Sequence, residues 1–231
     1  MAAICKAILS AASAQDSTAQ VFTFPVPPVR AIRRARRATP ALSHLTPAEL
    51  LALLKAARTS SARDWAMILL AYRHGLRASE VCGLRLGDVD QKASAVTVAR
   101  LKGSMLTVQP LYAHRGQPLL DEQAALRAWL REREADGSNY LFTSQKGGKL
   151  HRSAFFRAFQ SIAAAAGLPV ELRHPHVLKH SLASHLVAGN VNLALVKQCL
   201  GHRSISSTMQ YVGVTDAQAA QAAGAALMAA F

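Results

Sequence analysis

Cysteine and long apolar runs are both scarce in this sequence of 231 residues. The three cysteines, Cys5, Cys82 and Cys199, have no CxxC spacing, which argues against a disulfide framework and a cysteine-based zinc site and fits a reducing compartment. No uncharged apolar run approaches the roughly 18 residues that a membrane-spanning helix needs. The N-terminal stretch MAAICKAILSAASA resembles a signal peptide, but Lys6 interrupts its apolar part. We therefore expect a cytoplasmic protein without a membrane partner.

Acidic residues are also scarce. The chain has 13 Asp and Glu against 27 Lys and Arg, and its formal net charge is +14. Hydrophobic residues make up 51%, enough for a folded core, which excludes a wholly disordered basic protein. A globular protein with this charge favours a polyanionic partner, and nucleic acid is the first candidate. Composition leaves open whether the nucleic acid is only bound or also cut.

The composition changes near residue 43. Residues 1–42 contain an Ala/Ser-rich stretch, the proline-rich FPVPPVR and a basic cluster, and we expect a flexible tail. Its arginines suit either contacts with DNA phosphates or a solvated linker. Residues 43–231 are predicted to form one mainly helical (α+β) domain with a small antiparallel sheet. The arginines of the basic cluster are Arg30, Arg33, Arg34, Arg36 and Arg37.

Local signals place the main elements. Thr46, Pro47 and Glu49 predict a capping box at the start of the first helix. Gly75 is expected to end a second helix that begins at Ala62. A third helix is expected over 77–84, followed by a break at 88–90, and β-rich runs at 95–98 and 105–108 predict a hairpin with Lys102 in its turn. Further helices are expected at about 121–135, 152–166, 176–188, 192–200 and 204–211, and the Ala-rich segment 217–231 is helix-prone.

Polar residues cluster at four places within these segments. Arg77 follows a helix end and precedes Glu80 by three residues. The helix dipole opposes an arginine at a helix start, so Arg77 calls for an anion, which a local pair with Glu80 or a bound phosphate would supply. Lys102 is the second place, although a lysine in a turn by itself indicates only solubility.

The third cluster is the segment RHPHVLKHSLASHL. On a helix, His176 shares a face with Lys179 and with His180. A histidine pair at this spacing can bind zinc, but Glu171 is the one further ligand nearby, so we predict no metal site. Buried structural histidines would explain one or two of these residues. They would not explain four histidines within twelve residues.

The fourth cluster, LGHRSISSTMQYV, places His202 nine residues before Tyr211. A lone tyrosine on a short helix is usually part of a core or a surface. Taken together, the four clusters supply cations, histidines and a phenol. This set suits phosphoryl transfer, in which cations neutralise the nonbridging oxygens, the phenol attacks and a lysine protonates the leaving oxygen.

At these residues the chain resembles the tyrosine recombinases of the phage integrase family, over about 43–211. GLRASEV resembles the first-arginine motif, HPHVLKHSLASHL the HxLRHxxAxxL box and LGHRSISSTMQY the LGHxxxxxTxxY box. The resemblance extends most closely to short recombinases that invert promoter elements of fimbrial genes. It implies site-specific cutting and rejoining of DNA through a 3′-phosphotyrosyl intermediate, by integration, excision or inversion, without metal, ATP or another cofactor.

The resemblance also implies roles for single residues. Arg77 would bind the scissile phosphate, Lys102 would act as general acid and Tyr211 would be the nucleophile, with Glu80 and His180 in support. It further implies double-stranded DNA as partner, a tetrameric synapse of identical chains, exchange of the C-terminal helix between subunits and association with the bacterial nucleoid. The expected catalytic set is Arg77, Lys102, His176, Lys179, His202 and Tyr211, and further DNA contacts are expected from Arg173, Arg203 and the arginines of the tail.

Two features depart from the family pattern. The box carries Lys179 where the family has arginine, so the charge remains while the two-pronged hydrogen bonding to phosphate is lost. Loss of one transition-state contact costs about 3 kcal/mol, roughly a hundredfold in rate, unless Arg173 or Arg203 compensates. The residues before 43 are also too few for the clamp domain that many members carry.

Three functions remain open at this point. The retained catalytic set favours an active recombinase, because a protein that only binds DNA has no use for Tyr211. The departures favour a catalytically weakened DNA-binding protein that regulates recombination at such sites. A type IB-like topoisomerase shares the chemistry, but the chain lacks room for encircling domains.

Overall fold

The computed structural model describes residues 43–100, 106–133, 137–144, 146–202 and 204–211, together with Gly224 and Met228. The tail with its arginines, Lys102, Arg203 and nearly all of the segment beyond Tyr211 lie outside the described residues. The expectations for them therefore stay predictions. Within the described part, no helix has the length and apolar character to cross a membrane.

The described residues form eight α-helices and one three-stranded antiparallel sheet, which confirms the expected fold class. The sheet has the spatial order β1-β2-β3, so β2 lies in the middle. The strands are β1 (Val89–Asp90), β2 (Ala95–Val98) and β3 (Thr107–Pro110). The helices are α1 (Pro47–Ser60), α2 (Ala62–Arg73), α3 (Ala78–Val81), α4 (Glu122–Glu132), α5 (Arg152–Ala165), α6 (His176–Ala188), α7 (Leu193–Leu200) and α8 (Ser206–Met209).

The helix starts follow the predicted signals. The Thr46 hydroxyl accepts a hydrogen bond from the Glu49 amide at 3.2 Å, and the Glu49 carboxylate accepts one from the Thr46 amide at 2.8 Å. This is the expected capping box, and it satisfies two amides that the helix itself leaves without partners. Gly75 follows α2 with a φ of +57°, a left-handed conformation that glycine adopts without strain.

Several predicted boundaries were wrong, and in the sheet strand pairing is the reason. The third helix ends at Val81 rather than near 84, and α8 covers only Ser206–Met209. The expected break at 88–90 contains β1, whose Val89 pairs with Val96. The second hairpin strand lies at 107–110 instead of 105–108. This register turns Gln109 inward, where its side-chain oxygen lies 2.8 Å from His74 Nδ1.

Helix α2 forms the centre of the core. Its residues from Asp64 to Tyr72 are all buried, and it packs against α1, α4 and α6. The Trp65 indole donates a hydrogen bond to the Leu119 carbonyl at 3.0 Å, and the Trp129 indole donates to the Leu141 carbonyl at 2.9 Å. Both large aromatic side chains are therefore buried without an unsatisfied donor.

The inner face of α6 is fixed by polar contacts. The Ser181 hydroxyl accepts from the Leu45 amide and donates to the Val177 carbonyl, both at 2.8 Å. His185 bridges the Tyr72 hydroxyl and the Leu45 carbonyl, also at 2.8 Å each. His185 is thus one of the structural histidines that the sequence allowed for, and α6 is held in a defined rotation about its axis.

Replacing Ser181 by alanine tests this anchor. Ser181→Ala leaves the buried Leu45 amide without its acceptor, so we expect a loss of about 1–3 kcal/mol in the free energy of unfolding. Urea unfolding measures it, with Ser184→Ala on the same helix as the control, for which we expect a change within about 0.5 kcal/mol. Equal losses for both variants would contradict the anchor.

Candidate active site

Arg77 and Glu80 form the first part of the site. Arg77 precedes α3, and the Glu80 carboxylate accepts hydrogen bonds from its backbone amide and from its Nη1, both at 2.8 Å. The Glu80 side chain is buried, whereas the Arg77 side chain is 37% exposed. The local ion pair therefore exists, and it leaves part of the guanidinium accessible to an external anion.

Arg100 is a second arginine at the same carboxylate, and sequence reasoning missed it. Its Nη1 lies 3.5 Å from Glu80 Oε2, and its side chain is completely buried. The signal was present, because side chains in a strand alternate between faces. Val96 and Val98 both face the core, so the same alternation continued past β2 points Arg100 inward.

Lys179 is the most buried cation of the third motif. Its side chain is 2% exposed, and Nζ donates a hydrogen bond to the Leu200 carbonyl at 2.6 Å. Burial, together with the charges of Arg77 and Arg100, lowers the pKa of Lys179 to about 7, against a smaller opposing effect of Glu80. His176 lies one turn away on the same helix and nearer the surface, and burial, followed by the charge of Lys179, lowers the pKa of His176.

His180 and Tyr211 are in direct contact. His180 Nδ1 lies 2.7 Å from the Tyr211 hydroxyl. The His176 ring packs edge-on against the His180 ring, with 4.5 Å between the ring centroids. Burial, followed by the charge of His176, lowers the pKa of His180 to about 4, and burial raises the pKa of Tyr211. At neutral pH the imidazole is therefore uncharged and the phenol keeps its proton, so with the imidazole proton on Nε2 the phenol donates a hydrogen bond to Nδ1.

His202 completes the described site. Gly201 ends α7 in a left-handed conformation, and the next residue, His202, places Nδ1 3.0 Å from the hydroxyl of the buried Thr208. Burial lowers the pKa of His202 to about 4, with further contributions from Lys179 and Arg77 among others. His202 is thus a neutral hydrogen-bonding group beside a cation.

The charges of the site do not balance. Lys179 and two arginines, Arg77 and Arg100, face one carboxylate, that of Glu80, and burial together with the charge of Arg77 lowers the pKa of both Lys179 and Arg100. Among the described residues, no cluster of three or more His, Cys, Asp or Glu could hold a metal ion. An oxyanion would relieve the imbalance, and the Tyr211 hydroxyl lies at the edge of the same group.

The structure therefore brings most of the predicted residues together. Arg173 is different, because its Nε donates to the Leu168 carbonyl at 2.7 Å and so serves the loop after α5. Lys102 and Arg203 lie outside the described residues. The residues that meet are Arg77, Glu80, His176, Lys179, His180, His202 and Tyr211, with Arg100 as an addition.

Comparisons with known proteins identify the family of the chain. Residues 43–218 match the model of the phage integrase family. The type 1 fimbriae regulatory protein FimB of Escherichia coli K12 is 38% identical over 172 residues, which cover 72% of this chain and 82% of FimB. The type 1 fimbriae regulatory protein FimE of the same strain is 35% identical over 187 residues, covering 78% and 89%.

Solved structures share the fold. The XerH site-specific recombinase bound to its difH substrate gives a TM-score of 0.66 at 23% identity, covering 79% of this chain and 54% of XerH. XerA recombinase gives a TM-score of 0.64 at 25% identity, covering 78% and 63%. This chain thus corresponds to between half and two thirds of the length of these two chains.

The lowered pKa of Lys179 makes stability depend on pH. The folded chain releases this proton near pH 7 and the unfolded chain near 10.5, so the unfolded state binds more protons between these values and stability rises with pH. Relative to Lys179→Met, we expect the wild type to gain about 2 kcal/mol in free energy of unfolding from pH 7 to 9.

Urea unfolding at both pH values measures this difference. The control is Lys55→Met, which removes an exposed lysine of α1. Relative to this variant, we expect the wild type to gain no stability from pH 7 to 9. If the wild type gains as little relative to Lys179→Met as it does relative to Lys55→Met, Lys179 behaves like a surface lysine and the prediction is wrong.

Proposed function

This chain belongs to the phage integrase family of tyrosine recombinases, and we propose that it cuts and rejoins DNA strands at specific sites through a covalent bond to Tyr211. Tyr211 is assigned as the nucleophile because its hydroxyl lies 2.7 Å from His180 Nδ1. This contact is at the edge of a cluster in which three cationic side chains face a single carboxylate. The scissile phosphate is the anion that the cluster accommodates.

Phosphate binding uses groups of different kinds. Arg77 offers the exposed part of its guanidinium to nonbridging oxygens, and Glu80 fixes its direction from behind. His176 and His202, being neutral, donate N–H groups without adding charge. A bound phosphate raises the pKa of Lys179 and so keeps this ammonium charged while negative charge develops on the phosphorus oxygens.

The chemical step is an exchange of phosphodiester bonds. The Tyr211 oxygen forms a bond to phosphorus as its proton passes to His180 Nδ1, and the bond from phosphorus to the 5′-oxygen breaks. Lys102 gives the 5′-oxygen a proton, a role that follows from the family resemblance alone. A 5′-hydroxyl of a second strand then attacks the phosphotyrosine and returns a proton to Lys102, while the departing Tyr211 oxygen takes back its proton from His180. Because one ester replaces another at each step, no ATP is consumed.

Recombination also requires several subunits on two duplexes, and we propose a homotetramer in which the C-terminal segment passes to a neighbouring subunit. This part rests on the family resemblance and on the apolar side chains of Leu227, Met228 and Phe231 in the sequence. The arginines of the tail are proposed to follow the flanking duplex, with Arg173 and Arg203 as further cations near the DNA.

Capture of a covalent DNA complex tests the function and identifies the DNA site at the same time. The chain is incubated with sheared genomic DNA of the organism that carries its gene, denatured, and precipitated together with any bound DNA. We expect specific fragments to be retained by the wild type and lost with Tyr211→Phe, because phenylalanine has no nucleophilic oxygen. Tyr112→Phe, which changes an exposed tyrosine, is the control and should retain them.

The sequences of the retained fragments define the recombination site, from which nicked duplexes can be made. If the wild type retains no fragments, covalent cleavage is contradicted, and the alternative of a DNA-binding protein that does not cut is favoured. If Tyr211→Phe retains the same fragments as the wild type, another residue is the nucleophile.

Arginine at position 179 should change the pH dependence of cleavage. Lys179 loses charge as pH rises through about 7, whereas guanidinium stays charged, so we expect Lys179→Arg to cleave nicked DNA faster and its advantage to grow about fivefold from pH 7 to 8. Adduct formation at subsaturating DNA measures this. Equal or lower activity of Lys179→Arg across the range would contradict the proposed role of the ammonium.

A further inference from the structure

We infer that Arg100 is a positioning residue of the active site, which holds the ends of α2 and α7 and the Glu80 carboxylate in one arrangement around the phosphate. This inference rests on the proposed function, because it assigns Arg100 to the same reaction. It concerns a residue that lies outside the four polar clusters of the sequence and that only the folded structure brings to the site.

One planar group makes all the contacts. Arg100 Nη2 donates to the carbonyls of His74 and Cys199, each at 2.8 Å, and Nη1 donates to the Gly75 carbonyl at 3.2 Å. His74 and Gly75 directly follow α2, and Cys199 lies in the last turn of α7. A guanidinium can serve such a set because its donors lie in one rigid plane, whereas an ammonium cannot match that geometry.

The groups that Arg100 contacts are in turn connected to proposed catalytic residues. On one side, Gly75 lies two residues before Arg77, and the Glu80 carboxylate that pairs with Arg100 also holds the Arg77 guanidinium at 2.8 Å. A displacement of Arg100 would therefore change the direction of Arg77 through two separate connections.

On the other side, Arg100 fixes the end of α7. Cys199 directly precedes Leu200, whose carbonyl accepts the Lys179 ammonium at 2.6 Å, and His202 follows two residues later. Along the chain, Arg100 also lies two residues before Lys102. The buried guanidinium thus connects the segment of Arg77 and Glu80 with the end of α7, which contacts Lys179 and precedes His202.

Gly201 packs against the Arg100 side chain with no room for a side chain of its own. A Cβ atom on Gly201 would lie 2.9 Å from Arg100 Nε and 3.1 Å from Cδ, and the φ of +61° favours glycine in any case. Gly167 offers a matched comparison. Its φ is +74°, and a Cβ there would have no neighbour within 4 Å.

Arginine variants test the inference on nicked duplex made from a captured fragment, with the wild type in the same assay. Arg100→Lys keeps the charge and loses the planar contacts, so we expect at least a tenfold lower rate of adduct formation per folded molecule. Arg100→Gln should lose more, and the alkaline fall of its rate should move to higher pH, because one charge that opposes protonation of Lys179 is gone. Arg131→Gln, which removes an exposed arginine of α4, should stay within about twofold.

The outcomes separate the two claims. No adduct with the wild type would overturn the proposed function and this inference together. Wild-type adduct with both Arg100 variants within twofold would overturn the inference alone. A lower rate fully accounted for by a smaller folded fraction, with an unchanged pH profile, would show a structural role only and would also overturn it.

The glycine pair gives an independent test that leaves Arg100 in place. Gly201→Ala and Gly167→Ala both strain a left-handed residue, but only Gly201→Ala pushes on Arg100, so we expect a tenfold lower adduct rate for the first and little change for the second. In the Arg100→Gln background the effect of Gly201→Ala should shrink. If Gly201→Ala lowers the rate by the same factor in both backgrounds, Gly201 acts on His202 directly and not through Arg100.

Discussion

Buried positive charge is the constraint on which the site depends. Lys179 and Arg100 are both buried, and with Arg77 they share the single carboxylate of Glu80. Burying a charge without a partner is costly, and the protein limits the cost in two ways. The pKa of Lys179 falls to about 7, and helix ends supply carbonyl oxygens to the cations. The C-terminal end of a helix carries partial negative charge, so these carbonyls act as weak substitutes for an anion.

The surrounding fold holds the charged side chains of the site in fixed positions. Ser181 and His185 fix the inner face of α6, and this fixes the directions in which Lys179 and His180 leave the helix. The sheet brings Arg100 to the same place from a distant part of the chain. Several cations are thereby held at fixed positions around one carboxylate, and preorganised groups of this kind can stabilise negative charge that develops during a reaction.

Local residue patterns were enough to predict the capping box of α1, the helical (α+β) class and the motifs that contain Arg77, His180 and Tyr211. Long-range contacts explain what could not be predicted. The burial of Lys179 depends on a carbonyl 21 residues away, and the role of Arg100 on one 99 residues away. The short strand β1 and the register of β3 likewise depend on pairing that no local propensity specifies.

The replacement of arginine by Lys179 takes on a specific meaning in this setting. Guanidinium would remain charged at any physiological pH, whereas this ammonium is close to losing its proton. On the proposed function a bound phosphate would restore the charge of Lys179, so we expect DNA binding to be coupled to proton uptake. The coupling is a property of the free energy of binding and is independent of how fast the strands are cut.

Calorimetry of DNA binding in buffers of different ionisation enthalpy measures this coupling most directly. With Tyr211→Phe to prevent cleavage and a duplex made from a captured fragment, the account predicts proton uptake on binding near pH 7.5. It further predicts that most of this uptake disappears when Lys179→Arg is added. Uptake that is absent, or that is the same with lysine and arginine at position 179, would contradict a phosphate-binding site built on Lys179.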